Sequence, residues 1–250
     1  MVLSDMRNFK MILEYNGVSY CGWQRQDNGV SIQEVLEKII GMITGEKIAV
    51  SGSGRTDAGV HAINQVANFK SKTKLPAEIL YRGINGLLPD DIVVKELKEV
   101  APEFHARHDA LGKVYLYRIY NKRKRKALGR EYFWHIKYPL NREKMEKASQ
   151  YLLGRHDFSC FCGTGSQVKD KVRTITEIRI SEDEKGMLEI IVAAEGFLRH
   201  MVRNIVGTLV DVGRGKYEPE EMLEIIASRD RNCAGPTAPA HGLFLQEVKY

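Results

Sequence analysis

A glycine-rich segment, residues 52–61, holds the side chains best suited to chemistry. It contains three glycines, and its cation Arg55 lies two positions before the carboxylate of Asp57. Glycines let the backbone approach a ligand closely, and loops of this kind often carry functional residues. A carboxylate with a reference pKa of about 3.9 is ionised at neutral pH, so Asp57 can act as a nucleophile or a base. Taken alone, an Arg-Thr-Asp triplet is more typical of a turn with a local ion pair.

Other common chemistries fit the sequence less well. Gly52 and Gly54 begin a dinucleotide-binding pattern, but Asp57 occupies the third glycine position, and no Gly-Lys-Ser/Thr completes a phosphate-binding loop. Histidine and aspartate are neighbours in residues 105–109 and 156–157. Adjacent side chains of an extended segment point to opposite faces and chelate a metal poorly, so we expect no metal site. No serine-nucleophile motif occurs, and Asp57 remains the best catalytic candidate.

The charge balance of the chain favours a partner that carries phosphate groups. The net charge is +6, and five consecutive cations form a basic cluster at residues 122–126, which includes Arg123 and Arg125. Neutralising phosphates with such cations releases counterions and gives affinity that does not depend on sequence. A solvated loop explains the cluster about as well as phosphate contact does. We keep Arg123 and Arg125 as candidate RNA-binding residues.

Composition predicts a globular protein that stays in the cytoplasm. Of the 250 residues, 43% are hydrophobic and 28% charged, and no apolar run approaches the roughly 20 residues of a membrane helix. Residues 1–10 lack an apolar stretch of signal-peptide length, so we expect no export. The four cysteines form no CxxC pair, which is typical of reduced thiols and not of a disulfide framework or a zinc site.

The first half of the chain predicts the order strand, helix, strand, strand, helix, strand, which is the split βαβ order of ferredoxin-like folds. A capping box, Ser31 to Glu34, begins the first helix, and Pro76 begins the second. The predicted strands are residues 9–15, 48–50, 60–69 and 92–100, and the helices are residues 31–43 and 76–87.

The second half echoes this order, with Asn141 as an expected N-cap. Its predicted strands are residues 113–120, 132–136, 174–180, 187–194 and 243–248, and its helices are residues 141–153, 198–212 and 219–228. We therefore predict an α+β fold of two ferredoxin-like halves, residues 1–109 and 110–250. Their antiparallel sheets are expected to join into one extended sheet with helices on one face, which leaves the other face open as a basic RNA-binding cleft.

Seven ordered segments resemble the TruA family of tRNA pseudouridine synthases over nearly the whole chain. They are residues 20–26, 54–61, 104–107 with 113–115, 154–158, 173–175, 200–207 and 239–245. The resemblance implies the pseudouridine synthase fold and an isomerase that acts by intramolecular transfer. Such an enzyme converts uridine to pseudouridine in the anticodon stem-loop of tRNA, around positions 38 to 40, and needs no cofactor. It also implies a homodimer that holds one tRNA across both subunits.

The resemblance further implies roles for single residues. Asp57 matches the catalytic aspartate, and Arg203 matches an arginine that pairs with it, although a surface arginine that snorkels from an apolar helix is the simpler interpretation. Arg55 matches an arginine that fills the space left by a flipped nucleotide, and a phosphate contact would suit it too. Tyr115 matches a tyrosine that packs on the target base, whereas its position alone indicates a strand core residue. We expect Asp57, Arg203 and Tyr115 to be catalytic and Arg55 and Tyr115 to contact RNA.

Two further functions remain consistent with the residues. An RNA-binding module could keep the same shape without the reaction, but a carboxylate that faces phosphates brings such a module little benefit. A metal-dependent RNA hydrolase would shorten RNA and lose its activity with a chelator. An isomerase would resist the chelator and leave the length and mass of the RNA unchanged.

Overall fold

The computed structural model describes residues 6–27 and 29–250, and the chain divides into two compact units. The first unit comprises Met1–Leu111 and Leu245–Tyr250, and the second comprises Gly112–Phe244. The prediction from sequence placed one boundary between residues 109 and 110 and assigned residues 245–250 to the second half. In the described part of the chain, no helix is both long enough and apolar enough to cross a membrane.

The first unit has the predicted order of elements. These are β1 (Arg7–Tyr15), α1 (Ile32–Thr44), β2 (Val50–Gly52), β3 (His61–Ser71), α2 (Ala77–Leu87) and β4 (Ile92–Val100). Strand β1 lies between β3 and β4, β2 pairs with β3, and all three pairings are antiparallel. The ferredoxin-like order is confirmed. The second strand begins at Val50 and not at Ile48, which is buried beside the sheet without joining it.

Local sequence explains how β2 is positioned. The Ser31 hydroxyl caps α1 by accepting a hydrogen bond from the Glu34 backbone nitrogen (3.2 Å), as the capping box predicts. One stripe of α1 is buried, and the helix contacts both α2 and β2. Alternate residues of β1, among them Phe9, Met11 and Leu13, are fully buried on one face of the sheet. The end of β2 is therefore held on a packed core, and residues 53–60 continue from it.

The second unit contains five strands and three α-helices among its described residues. They are β5 (Gly112–Asn121), β6 (Trp134–Ile136), α3 (Arg142–Gln150), β7 (Gly154–Asp157), β8 (Val172–Glu182), β9 (Met187–Ala194), α4 (Met201–Gly213) and α5 (Glu221–Ser228). Strand β9 lies between β5 and β8, and β7 pairs with β8. Strand β6 pairs with β5 in parallel, so this sheet departs from the predicted antiparallel pattern. The α+β class is confirmed.

Helix α4 is buried on almost every side, which is typical of a helix in the middle of a unit. Its buried polar side chains are hydrogen-bonded: the Asn204 amide donates to the Phe161 carbonyl (2.8 Å), and the Thr208 hydroxyl accepts from the Gly235 nitrogen (2.9 Å). The backbone of Pro236 lies so close to Gly207 that a Cβ there would be 1.6 Å from the Pro236 oxygen. Residues 235–238 are thus packed directly on the helix.

The last strand, β10 (Leu243–Lys249), extends the sheet of the first unit beside β3. Three hydrogen bonds connect β10 and the adjacent Tyr250 to the rest of the first unit. The Asn64 amide donates to the Gln246 carbonyl (2.8 Å) and the Leu111 nitrogen to the Lys249 carbonyl (2.8 Å). The Tyr250 hydroxyl donates to the Ala106 carbonyl (2.6 Å). Residues 245–250 therefore complete the unit that contains the glycine-rich loop.

Candidate active site

The glycine-rich loop, residues 53–60, connects β2 to β3 in the first unit. The Val60 nitrogen donates to the Asp57 carbonyl (3.1 Å), which closes a turn over residues 57–60. Gly59 is the third residue of this turn and has a φ of 78°, a conformation that glycine adopts without strain. The Asp57 side chain is half-buried and the Arg55 side chain is exposed. Sequence reasoning placed both residues on one loop, and the structure agrees.

Residues 20–26 pack against this loop. The Trp23 nitrogen donates to the Thr56 carbonyl (3.0 Å). Gly22 has a φ of 107°, and a Cβ there would lie 2.6 Å from the same Thr56 oxygen, so a larger residue would push the loop away. The buried Trp23 indole covers Gly52, where a Cβ would come within 2.5 Å of the ring. The segment 20–26 therefore supports the loop by close backbone approach.

Tyr115 lies in β5 of the second unit and is buried. Its ring meets the ring of Phe197 edge to face, with centroids 5.0 Å apart and an interplanar angle of 87°. Aromatic pairs prefer this geometry because the positive edge of one ring faces the negative face of the other. Phe197 therefore fixes the orientation of the Tyr115 ring.

Arg203 lies in the first turn of α4, in the second unit, and its side chain is half-buried. Its Nε donates to the Ala238 carbonyl (2.8 Å), and the Ala238 nitrogen donates back to the Arg203 carbonyl (3.1 Å). A guanidinium has five N–H donors in a fixed fork, so a bond from Nε sets the plane of the whole group. The segment 235–238 thus orients Arg203.

The basic cluster, residues 122–126, follows β5 in the second unit and is exposed throughout. Neither Arg123 nor Arg125 forms an ion pair or a side-chain hydrogen bond with any residue among 6–27 and 29–250. Unpaired guanidinium groups on a surface loop can bind phosphates without first breaking an internal contact. The structure places these two residues in the second unit, and Arg55 and Asp57 in the first.

The histidine and aspartate segments serve local structure. Within the described residues, no group of three or more histidine, cysteine, aspartate or glutamate side chains could hold a metal ion. The Asp157 carboxylate accepts hydrogen bonds from the Ser159 hydroxyl (2.6 Å) and nitrogen (2.9 Å). The bond from the Ser159 hydroxyl is the main reason that the pKa of Asp157 lies below its ordinary value. His105 Nδ1 accepts from the Arg107 nitrogen (3.1 Å).

Two residues that sequence reasoning missed lie directly against the glycine-rich loop. The Tyr15 hydroxyl is 2.8 Å from the Thr56 hydroxyl, and the Gln65 amide nitrogen donates to the Gly54 carbonyl (3.0 Å). Gln65 has no exposed surface and lies in the middle of the mostly buried strand β3. The sequence of β3 also contains Asn64 and Asn68, so Gln65 does not stand out there; only its burial, which requires hydrogen-bond partners for its amide, identifies it.

A family model described as tRNA pseudouridine synthase matches residues 11–109 and 148–250. The matched residues include Asp57 and Arg203, while Tyr115 and the basic cluster lie outside them. The match covers most of both compact units.

Three similar proteins carry the name tRNA pseudouridine synthase A. The protein of Thermoanaerobacter sp. (strain X514) is 49% identical over 245 residues, which is 98% of this chain and 100% of that protein. The protein of Clostridium acetobutylicum has the same identity and coverage. The protein of Myxococcus xanthus is 45% identical over 98% of this chain and 92% of its own length.

Proposed function

This chain belongs to the tRNA pseudouridine synthase family, an isomerase family that makes pseudouridine in tRNA, and from that membership we propose the site of its reaction. Its substrate is a uridine in the anticodon stem-loop of tRNA, around positions 38 to 40, and its catalytic carboxylate is Asp57. The observation that supports this most is the half-buried Asp57 on a closed turn of the glycine-rich loop, within the matched residues.

The reaction sets what the site must supply. The C1′–N1 glycosidic bond breaks, the uracil turns, a C1′–C5 bond forms, and the proton on C5 is released to solvent as N1 gains one. Atoms balance without an oxidant, a reductant or a group donor. An ionised carboxylate can attack the sugar or take a proton from the base, and Asp57 is proposed for this step.

Three further residues have proposed roles. Tyr115 packs its ring on the target base, since a flat ring stacks on any base, and the edge-to-face contact with Phe197 supports a fixed ring. Arg203 completes the catalytic set, and its bond to the Ala238 carbonyl supports a fixed guanidinium. Arg55 is exposed next to Asp57 and fills the space that the flipped nucleotide leaves.

The basic cluster is proposed to bind tRNA phosphates, which predicts a change in salt dependence. Arg123→Gln with Arg125→Gln should weaken tRNA binding and reduce the slope of log affinity against log salt by about 2, one for each lost phosphate contact. Binding titrations over a series of salt concentrations measure this slope.

Lys38→Gln with Lys47→Gln is the matched control for the basic cluster. Both lysines are exposed, on or just after α1, and the double variant removes the same charge. Its salt slope should equal that of the wild type. If the arginine variant also keeps the wild-type slope and affinity, the basic cluster is only a solvated loop.

The type of reaction is tested with unmodified tRNA in the presence of a chelator. We expect pseudouridine to form around positions 38 to 40 at an unchanged rate, with the length and mass of the RNA preserved. Pseudouridine mapping and denaturing electrophoresis of the same sample measure the two properties. Shortened RNA or loss of activity in the chelator would instead indicate a metal-dependent hydrolase.

We also propose that the enzyme is a cytoplasmic homodimer that holds one tRNA across both subunits. Membership of the family supports this assignment. Light scattering should give about twice the 28.4 kDa mass of the chain, and a molar mass equal to a single chain would contradict the dimer.

A further inference from the structure

The glycine-rich loop rests on a buried layer of polar side chains, which we name the polar layer: Tyr15, Ser53, Thr56 and Gln65. Each is between 0% and 6% exposed. Tyr15 is the last residue of β1, and Gln65 lies in the middle of β3. Burying polar groups is unfavourable unless they are hydrogen-bonded, so each side chain of the layer needs a hydrogen-bond partner.

The contacts of the polar layer run to the loop. The Ser53 hydroxyl donates to the Gln65 amide oxygen (2.6 Å), and the Gln65 amide nitrogen donates to the Gly54 carbonyl (3.0 Å). The hydroxyls of Tyr15 and Thr56 are 2.8 Å apart. Burial raises the pKa of Tyr15 to about 12, so its hydroxyl keeps its proton at neutral pH.

These contacts alternate with the residues proposed for chemistry. Ser53, Gly54 and Thr56 are hydrogen-bonded to Tyr15 or Gln65. The side chain of Arg55 is exposed, and that of Asp57 is half-buried. The Thr56 carbonyl is held as well, by the Trp23 nitrogen. Thr56 directly precedes Asp57, so its side chain and its carbonyl together fix the backbone from which the carboxylate projects.

Without such support, a loop that contains Gly54 and Gly59 would hold a catalytic side chain poorly. Glycine permits many backbone conformations, and displacing a reacting group by about 1 Å can cost about 100-fold in rate. We propose that Tyr15, through Thr56, and Gln65, through Gly54, are positioning residues that hold the Asp57 carboxylate where it reacts. The inference rests on the proposed catalytic role of Asp57.

A contribution to stability alone would also explain a buried polar layer, and a paired substitution separates the two roles. Removing one hydroxyl leaves the other buried without its partner, which destabilises the fold. Replacing both partners by apolar groups of the same shape is nearly neutral for stability. The double variant Tyr15→Phe with Thr56→Val therefore keeps the packing and removes the link to the loop, while Gln65, which also hydrogen-bonds the Tyr15 hydroxyl, keeps its bonds to Ser53 and Gly54.

The experiment measures the rate of pseudouridine formation at saturating tRNA, the tRNA Kd and the melting temperature. The double variant should keep the Kd within about twofold and melt close to the wild type, while kcat falls roughly 10- to 100-fold. Thr56→Ser, which retains a hydroxyl at the same position, should stay within about threefold of the wild-type kcat. Tyr15→Phe alone should melt at a lower temperature, because the Thr56 hydroxyl loses its partner, and it gives a second measurement of kcat.

Three outcomes would overturn the inference: a wild-type kcat in the double variant or in Tyr15→Phe, a loss confined to tRNA affinity, or a kcat for Thr56→Ser as low as that of the double variant. Asp57→Asn is assayed alongside. If Asp57→Asn itself keeps the wild-type rate, the proposed function has failed and not only the positioning role. The two failures are thereby distinguished.

Discussion

Replacing Asp57 by asparagine should abolish pseudouridine formation, with a fall in kcat of at least about 10³-fold. Asparagine has nearly the same shape as aspartate, so the turn over residues 57–60 is expected to survive. Its neutral amide cannot attack the sugar or take the C5 proton. Release of tritium from tRNA labelled at uracil C5 measures the loss directly, because the C5 hydrogen leaves only when the new bond forms.

The control for Asp57→Asn must change the net charge of the protein equally, since an added positive charge strengthens RNA binding by itself. Asp90→Asn meets this need: Asp90 is exposed in the same unit and has no ion pair with a residue that the structure describes. It should release tritium at the wild-type rate. Equal release by the wild type and Asp57→Asn, with tRNA bound by both, would remove Asp57 from the catalytic role.

Replacing Gly207 by alanine should cause the largest loss of stability among the substitutions considered. The added methyl would lie 1.6 Å from the Pro236 oxygen and 2.8 Å from its carbonyl carbon, and both are backbone atoms that cannot rotate away. Overpacking a core costs about 1–3 kcal/mol and sometimes more, so we expect about 3 kcal/mol here. For a protein of this size, that corresponds to a melting temperature lower by roughly 6–12 °C. Calorimetry or circular dichroism measures the shift.

Gly86→Ala is the matched control, because Gly86 also lies in a helix, α2, but nothing lies within 4 Å of the site of its Cβ. Alanine has less backbone freedom to lose on folding, so this variant should be as stable as the wild type or more stable by up to about 1 kcal/mol. Similar melting temperatures for Gly207→Ala and Gly86→Ala would show that residues 235–238 move away from α4 at little cost in stability. In Gly207→Ala, the displaced Ala238 carbonyl should also lower kcat, because it no longer holds the Arg203 guanidinium as proposed.

The parts of the fold that sequence predicted are those that local interactions determine. The caps at Ser31 and Asn141 form as expected, because each needs only a backbone nitrogen three residues further on. Strand β7, Gly154–Asp157, was missed, since its residues are exposed or half-buried and show no apolar alternation. It becomes a strand by pairing with β8, a contact that a local pattern cannot encode.

The candidate site shows the same division. The residue types and spacing of the glycine-rich loop pointed to Asp57 and Arg55, since a reactive carboxylate beside a cation is visible in the sequence itself. The supports of the loop were not visible. Tyr15 and Gln65 matter because of where β1 and β3 place them relative to Gly54 and Thr56, and that depends on sheet register.

The grouping of residues 245–250 with the first unit has a consequence for synthesis of the protein. Translation proceeds at about 5–20 residues per second, so these residues leave the ribosome roughly 7 to 28 seconds after Leu111. Until then the nascent unit that carries Asp57 lacks β10, and the part of the β3 edge that β2 does not cover is unpaired and available to other chains. A polypeptide truncated before residue 243 would keep every proposed catalytic side chain and still expose that part of β3, so we expect incomplete products to be prone to aggregation.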